Sequence, residues 1–156
     1  DLACLEKIKC IIKEKNIKKL FLESHWSYKN RLKEMREYFE IPVVFKIGVE
    51  TFDNDFRNNI LNKNANFKTP QDVKEYFDSP CIMVGIKGQT KEMIDKDIEI
   101  ILNTFEKATV NVFINNSSSI KRDEELVKWF VSKYKFLDEN PNIEVLYNNT
   151  DFGVGD

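Results

Sequence analysis

The chain has 156 residues, 32% of them charged, and a formal net charge of −2 from 24 Lys and Arg against 26 Asp and Glu. That length suits one domain with a real core and is too short for a complete eight-unit βα barrel, which takes about 250 residues. The basic residues are spread along the chain rather than gathered in one stretch, which argues against nonspecific nucleic-acid binding.

Three cysteines, Cys4, Cys10 and Cys81, are an odd number without paired spacing, so no disulfide framework is expected and a reduced, cytoplasmic setting fits the chain. Cys4 and Cys10 lie six residues apart in the first predicted helix, where we expect them to fill the core rather than hold a metal ion. The sequence has no apolar run near the ~20 residues of a membrane span and no signal-peptide pattern at its start.

Apolar periodicity predicts strands that alternate with helices along the chain. After a first amphipathic helix, strands are predicted at 20–26, 43–50, 81–86, 109–116 and 143–151. Thr69 before Pro70 predicts the start of a helix between the second and third strands, and Asp123 predicts the start of another. Strands that alternate with helices predict a parallel sheet of about five strands.

The strand at 43–50 has two different faces, because side chains alternate along a strand. One face carries Val43, Phe45, Ile47 and Val49. The other carries Val44, Lys46, Gly48 and Glu50. Charged side chains do not enter a dry core without partners, so the second face is expected to line a site.

Other predicted strands repeat this asymmetry, with polar residues gathered toward the carboxyl end of one face. An open doubly wound sheet has both faces covered by helices and both apolar. The sequence therefore predicts an α/β fold in which a partial, open TIM-like βα barrel curves around a polar lumen, with ligand groups at the carboxyl ends of the strands. The alternative is a polar face that is simply solvated.

Two strand ends carry candidate site residues. Glu23 and His25 are expected on the same face of the first strand, where His25 is either a functional or a structural histidine. The turn from Gly85 to Thr90, with Gly88 inside it, joins a strand to a helix, a place where a ligand can approach the backbone. Ordinary loop geometry explains two glycines there equally well.

Two motifs resemble those of radical S-adenosylmethionine (radical SAM) enzymes. The run from Gly48 to Asp53, Gly-Val-Glu-Thr-Phe-Asp, followed by Phe56-Arg57 and Leu61-Asn62-Lys63, resembles their Gly-x-Glu-(Ser/Thr)-x-Asp segment before a helix. The turn from Gly85 to Thr90 resembles their Gly-Leu-Pro-Gly-Gln-Thr turn, with Ile-Lys in place of Leu-Pro. Leu22 to Trp26 stands where that family has a Gly-Gly-Glu strand end, which is a departure.

The resemblance implies S-adenosylmethionine (SAM) and a [4Fe-4S] cluster as cofactors. The family holds this cluster with three cysteines spaced CxxxCxxC, and nothing in this sequence matches that spacing. We therefore expect a first strand and cluster loop upstream of this chain, which would be the larger C-terminal part, 1–156, of the barrel as a single domain. By itself the chain is not expected to cleave SAM.

The resemblance also implies roles for particular residues. Glu23, Ser24, His25, Glu50, Thr51, Gly85 and Gly88 would contact SAM. Asn115, Asn148 and Asp151 have no counterpart in the family, but their positions at strand ends make them candidates for substrate binding, as does the polar face of the second strand for Lys46. No catalytic residue and no metal ligand is assigned.

Several functions stay open at this point. The stretch from Asn148 to Asp156, with Glu23 to Trp26, resembles unusual clostridial-type radical SAM members, among them lyases of queuosine or queuine salvage. The alternative is a cluster-less βα module that binds a small molecule or a partner protein without catalysis. A hydrolase that uses His25 and Glu50 is less well supported because no nucleophile accompanies them. An uncovered edge on the first strand predicts a homodimer through that edge.

Overall fold

A computed structural model describes residues 2–148, which form one parallel sheet and its helices. The strands are β1 (Leu20–Glu23), β2 (Val43–Glu50), β3 (Ser79–Val84), β4 (Ala108–Val112) and β5 (Ile143–Leu146). The α-helices are α1 (Leu2–Glu14), α2 (Leu32–Phe39), α3 (Pro70–Tyr76), α4 (Lys91–Thr104) and α5 (Glu124–Lys133). Two 3₁₀ segments, Trp26–Arg31 and Lys135–Glu139, and a π-helical turn, Phe56–Ile60, complete the described elements.

The strands lie in the order β1-β2-β3-β4-β5, and every neighbouring pair is parallel. Right-handed crossovers between strands in sequential order place all the helices on the same side of the sheet. The sheet is thus a half-barrel, which confirms the predicted partial βα barrel. None of the helices in residues 2–148 has the length and apolar character that a membrane crossing needs.

The core fills the space between the sheet and its helices in two adjoining clusters. In the first, the apolar face of β2 packs on α1, α2 and α3, through residues that include Phe45, Ile47, Phe39 and Val73. In the second, β3 and β4 pack on α4 and α5, through residues that include Ile82 and Val110. The predicted apolar face of β2 is therefore the helix-covered face.

The sequence predicts two helix starts correctly. Thr69 caps α3, since its hydroxyl accepts the Asp72 N–H while the Asp72 carboxylate accepts the Thr69 N–H, and Pro70 occupies the first turn. Asp123 caps α5 by accepting the Leu126 N–H.

Three sequence predictions about local structure are wrong. Strand β1 ends at Glu23, because His25 caps a 3₁₀ segment by accepting the Ser27 N–H. Other strand bounds also differ, since β3 spans 79–84 rather than 81–86, and β4 and β5 are shorter than predicted and end at 112 and 146. Cys4 and Cys10 are exposed, since α1 turns other residues, among them Ile12, toward the core.

Candidate functional site

Strand β2 ends in a bulge that aims Glu50 at the concave face. Gly48 pairs with Cys81 and Glu50 pairs with Ile82, so one extra residue of β2 lies between two consecutive residues of β3. Glu50 has φ of 65°, a left-handed conformation that costs a non-glycine residue about 1 kcal/mol or more. Strained backbone of this kind is common at functional sites.

Charged groups from two strands and a loop meet beside this bulge. The Lys63 ammonium binds the Glu50 carboxylate at 2.6 Å, with both side chains partly buried. A Cβ on Gly48 would stand 2.9 Å from Glu50 Oε1, 3.1 Å from Lys63 Nζ and 3.6 Å from Glu23 Oε1. The missing side chain at 48 is thus what allows the three charges to converge.

A small cavity of about 140 Å³ opens among these groups, lined by Glu23, Ser24, His25, Gly48 and Lys63. The Glu23 carboxylate and the Lys63 ammonium line this cavity, and the Glu50 carboxylate is bonded to that ammonium just outside the lining. Such a set suits a ligand that carries both an ammonium and a carboxylate group. We name these five residues together with Glu50 the polar site.

His25 is fixed in one tautomer at the wall of the polar site. Its Nδ1 faces the Ser27 N–H at 3.2 Å and therefore accepts from it. Its Nε2 lies 2.9 Å from the Lys63 carbonyl oxygen, which can only accept, so Nε2 carries the proton. The ring thus joins the end of β1 to the loop that carries Lys63.

Thr51 lies underneath the polar site rather than in it. Its side chain is fully buried, and its hydroxyl oxygen accepts the Asp53 N–H at 3.0 Å. Asp97 of α4 accepts the Phe52 N–H at 2.8 Å with its Oδ1, while its buried Oδ2 has no hydrogen-bond partner among the described residues. Burial is the main reason that the pKa of Asp97 is raised to about 6.

An apolar region lies farther along the carboxyl edge of the sheet. Phe56, Ile86 and Phe113 form a small buried cluster there. A cavity of about 400 Å³ adjoins it, lined by Asp53, Asp55, Phe56, Ile60, Gly88 and Met93. Aromatic and aliphatic walls with a few carboxylates suit a flat, weakly polar ligand group. We name this region the apolar site.

The glycine-containing turn borders the apolar site, and its two glycines differ. Gly85 has φ of 86°, and a Cβ there would stand 2.2 Å from Val127 Cγ2, so packing against α5 requires the glycine. Gly88 has φ of 99° and lines the cavity, where its missing side chain leaves room beside Phe56. Only Gly88 therefore faces space that a ligand can enter.

A second group of polar side chains covers the concave face below the polar site. Lys46 lies 3.3 Å from both Thr109 Oγ1 and Glu144 Oε2, at the edge of a cavity of about 510 Å³. Asn111 donates to the Cys81 sulfur at 3.0 Å. Burial, with the Glu50 and Glu23 carboxylates nearby, raises the pKa of Cys81 to about 12, so this cysteine is a neutral thiol.

The structure brings together four of the predicted site residues, Glu23, Ser24, His25 and Glu50, and places Gly88 in the neighbouring cavity. Thr51 and Gly85 support the site from below. Asn115 is exposed, and its side-chain oxygen accepts the Arg122 N–H at 2.8 Å. Asn148 is exposed at the last described position, and Asp151 lies outside the described residues.

Two residues of the site region were missed by sequence reasoning. Lys63 lies in a polar loop, and its position in the Leu61-Asn62-Lys63 motif was the available signal. Arg57, beside it in the same resemblance, is fully buried. Across residues 2–148, no group of three His, Cys, Asp or Glu side chains could hold a metal ion.

In fold and in sequence, this chain resembles a solved structure of another protein. No family model matches the sequence, and no curated protein matches it. Among solved structures, the chain is similar to a queuine lyase from Clostridium spiroforme bound to SAM and queuine, with a TM-score of 0.92 and 53% sequence identity. The match covers 97% of this chain and 66% of that one, so this chain spans just under two thirds of its relative's length.

Proposed function

We propose that this chain, which belongs to the radical SAM superfamily, forms the larger part of a lyase that binds SAM and acts on queuine or a closely related deazapurine. The observation that carries the proposal is the structural relative bound to both of these molecules, which shares most of this chain's fold and over half of its residues. The division of the strand-end edge into a polar and an apolar site supports it independently.

The residues present fit SAM. Its methionine end carries an ammonium and a carboxylate, and the polar site offers the Glu23 and Glu50 carboxylates beside the Lys63 ammonium. Its adenine is flat and weakly polar, as are the contacts offered at the apolar site around Gly88 and Phe56. We assign the methionine end to the polar site and the adenine to the apolar site.

The described residues do not fit an iron–sulfur cluster, which needs three thiolates close together. We therefore propose that the cluster ligands belong to a segment of the protein outside this chain, and that this chain by itself is inactive. When bound, the cluster and SAM supply the radical chemistry, while the residues described here bind, orient and shield.

The concave face below the polar site is the proposed place for the substrate. Lys46, Thr109 and Glu144 offer one cation, one hydroxyl and one carboxylate at the rim of the cavity of about 510 Å³. A base with several N–H donors and a carbonyl can pair with such a set. Lys46 is the predicted substrate residue that this geometry supports, whereas roles for Asn115, Asn148 and Asp151 stay predictions.

We also propose that the protein resides in a reducing cytoplasm, because its three cysteines are free thiols.

Strand β1 pairs with β2 alone among the described strands, and Phe21 beside that edge is 54% exposed. We propose that the β1 edge pairs with a second copy or with the remainder of the protein. Light scattering of the 156-residue chain over a range of concentrations distinguishes these, because a monomer at all concentrations would contradict dimerisation.

The test uses the full-length gene product, purified and reconstituted with iron and sulfide without oxygen. We expect a cluster absorption band, 5′-deoxyadenosine formed from SAM under reduction, and consumption of queuine that depends on SAM. A Lys46→Met variant should keep SAM cleavage and lose queuine consumption. A Lys74→Met variant, on the exposed side of α3, serves as the matched control and should keep both.

Each alternative has its own outcome. SAM cleavage without queuine consumption would keep the superfamily and reject the substrate. Binding of SAM without a cluster or cleavage would favour a binding module without catalysis. The absence of SAM binding in the full-length protein would overturn the proposal as a whole.

A further inference from the structure

Lys63 lies in the loop after the π-helical turn and connects that loop to the polar site. Its ammonium binds Glu50, and its backbone carbonyl accepts from His25 Nε2. It lies between Asn62 and Asn64, which both have φ of 51°, a left-handed conformation that asparagine tolerates better than most residues. The course of this loop therefore sets the positions of a charge and of an imidazole ring.

Arg57 holds this loop from inside the protein. Its guanidinium is fully buried and lies 3.6 Å above the centre of the Phe67 ring. Its Nε donates to the Ala65 carbonyl at 2.9 Å and its Nη2 to the Phe67 carbonyl at 3.1 Å. Its Nη1 donates to the Thr51 carbonyl at 2.9 Å. One side chain thus fastens the loop to the end of β2, next to Glu50.

Asn58 makes a second, smaller set of hydrogen bonds that holds the same loop. Its side-chain oxygen accepts the Ala65 N–H at 2.8 Å, and its amide nitrogen donates to Asn54 Oδ1 at 3.0 Å. Asn54 Oδ1 also accepts from Arg57 Nη2 at 2.9 Å. The two side chains share a partner and therefore act on the loop as one network.

We propose that Arg57 is a positioning residue for the polar site, which fixes the loop at 62–67 so that Lys63 meets Glu50 and the methionine end of SAM. This inference rests on the proposed function, because it names SAM as the ligand. Arg57 touches no ligand in this assignment, since its side chain is enclosed by backbone carbonyls and the Phe67 ring. Its effect passes through Lys63.

A merely structural arginine would lower stability without a specific link to Lys63. The two roles separate in a double-mutant cycle, since residues that act through each other give non-additive effects. The conservative variant Arg57→Lys keeps the buried charge but loses the planar fork that reaches three carbonyls. Asn58→Ala tests the same loop with a smaller disturbance of the fold.

The measurement is SAM affinity of the full-length protein by calorimetry, for the wild type, Arg57→Lys, Lys63→Met and the double variant. Each single variant should weaken SAM binding about tenfold or more, the usual loss for a hydrogen bond to a charged group. The double variant should bind about as weakly as Lys63→Met alone. Asn58→Ala should weaken binding by a smaller factor, and that effect should likewise vanish when Lys63 is already methionine.

The matched control is Arg36→Lys. Arg36 also joins a carbonyl and a carboxylate, of Tyr76 and Asp78, but neither partner belongs to the loop at 62–67 or to the polar site. It should leave SAM affinity within twofold of the wild type. Amide hydrogen exchange gives a readout without ligand, because exchange at Lys63 and Ala65 should rise in Arg57→Lys and stay unchanged in Arg36→Lys.

The outcomes separate this inference from the proposed function. A wild-type protein that binds no SAM would overturn the proposed function. Independent, multiplicative losses in Arg57→Lys and Lys63→Met, or unchanged affinity in a folded Arg57→Lys protein with a loosened loop, would overturn the positioning role while leaving SAM binding intact. If Arg57→Lys does not fold, the same cycle with Asn58→Ala decides the question.

Discussion

The polar site and the apolar site lie at the same edge of one sheet and are kept in shape by different means. At the polar site, the buried Arg57 and the loop it holds position Lys63 and His25 through hydrogen bonds. At the apolar site, the turn after β3 is set by Gly85 against Val127 and by Gln89. One side of the edge depends on directed polar contacts, and the other depends mainly on close packing.

The difference follows from the groups that the polar site and the apolar site each present to a ligand. Converging charges repel or attract over several ångströms, so their positions need a network of donors and acceptors to hold them. Apolar walls have no such directional demand, and close packing is enough to fix their shape. Substitutions in the two halves should therefore fail in different ways.

The largest loss of stability is expected for Arg57→Met. The change leaves the carbonyls of Thr51, Ala65 and Phe67 without their donor in a buried place. Leaving buried acceptors unpaired costs about 1 to 3 kcal/mol each, and with partial relaxation we expect a loss of about 4 kcal/mol. Denaturant unfolding of the wild type and the variant measures it.

Arg36→Met is the matched control, because the Arg36 side chain is 34% exposed and water can replace its contacts. It should lose about 1 kcal/mol. Equal losses in the two variants would mean that the polar site has no special dependence on its buried arginine.

The next largest loss is expected for Gly85→Ala at the apolar site. A methyl group there would overlap Val127 Cγ2 at 2.2 Å, and the backbone has φ of 86°. Left-handed strain and forced repacking together should cost about 3 kcal/mol. Thermal unfolding measures the loss, which should occur without any change in the Lys63 loop.

Gly88→Ala is the matched control, with a similar φ of 99° but its nearest neighbour, Phe56, at 3.3 Å. It should lose about 1 kcal/mol, mainly from backbone strain, since the Phe56 ring needs to move by only a few tenths of an ångström. A loss as large as that of Gly85→Ala would show that the conformation of the turn, rather than packing on α5, limits both positions.

The two halves also differ in how far the sequence predicts them. The polar face of β2 is predictable because side-chain alternation places Lys46, Gly48 and Glu50 together. The alternation of strands and helices likewise predicts the half-barrel. The glycine turn is visible as a motif, but nothing local shows that Gly85 serves packing against Val127, which lies 42 positions away in the chain.

The polar loop illustrates what the sequence leaves open. Lys63 and Arg57 are ordinary charged residues in a polar stretch, and most such residues are solvated. Their roles arise from contacts with His25, Glu50 and Phe67, which depend on the path of the folded chain. The bulge at Glu50 is hidden for the same reason, because strand register is decided by the neighbouring strand.

Asp97, beneath the polar site, should make the stability of the protein depend on pH. Burial raises the pKa of Asp97 to about 6, whereas its ordinary value is 3.8. The folded protein therefore holds this proton more tightly than the unfolded chain, so the contribution of Asp97 to stability is present below about pH 4 and is lost as pH rises to about 6. In Asp97→Asn this loss should be absent, so the stability of the variant relative to the wild type should rise by up to about 3 kcal/mol between pH 4 and pH 7.

Asp95→Asn, on the same helix, should show the opposite pH dependence. Its stability relative to the wild type should fall as the pH rises from acid to neutral. Burial raises the pKa of Asp95, but hydrogen bonds from Lys133 and Tyr134 outweigh it and the pKa lies below its usual value. The contribution of Asp95 is therefore present at neutral pH and lost in acid. Denaturant unfolding at several pH values measures both variants, and parallel curves for the two would contradict the assignment of Asp97.

Gln89→Leu, for which we expect the smallest loss of stability, tests whether directed hydrogen bonds also hold the apolar site. Gln89 is largely buried, with its Oε1 accepting the Ile86 N–H at 2.9 Å and its Nε2 donating to the Met83 carbonyl at 2.8 Å. Gln89→Leu keeps the volume and removes both bonds, which should cost about 2 kcal/mol, while Gln71→Leu on the exposed side of α3 should cost almost nothing. If denaturant unfolding gives Gln89→Leu a loss as large as that of Arg57→Met, then the apolar site also depends on directed hydrogen bonds. The two halves of the edge would in that case differ in the ligand groups they face and not in how they are held.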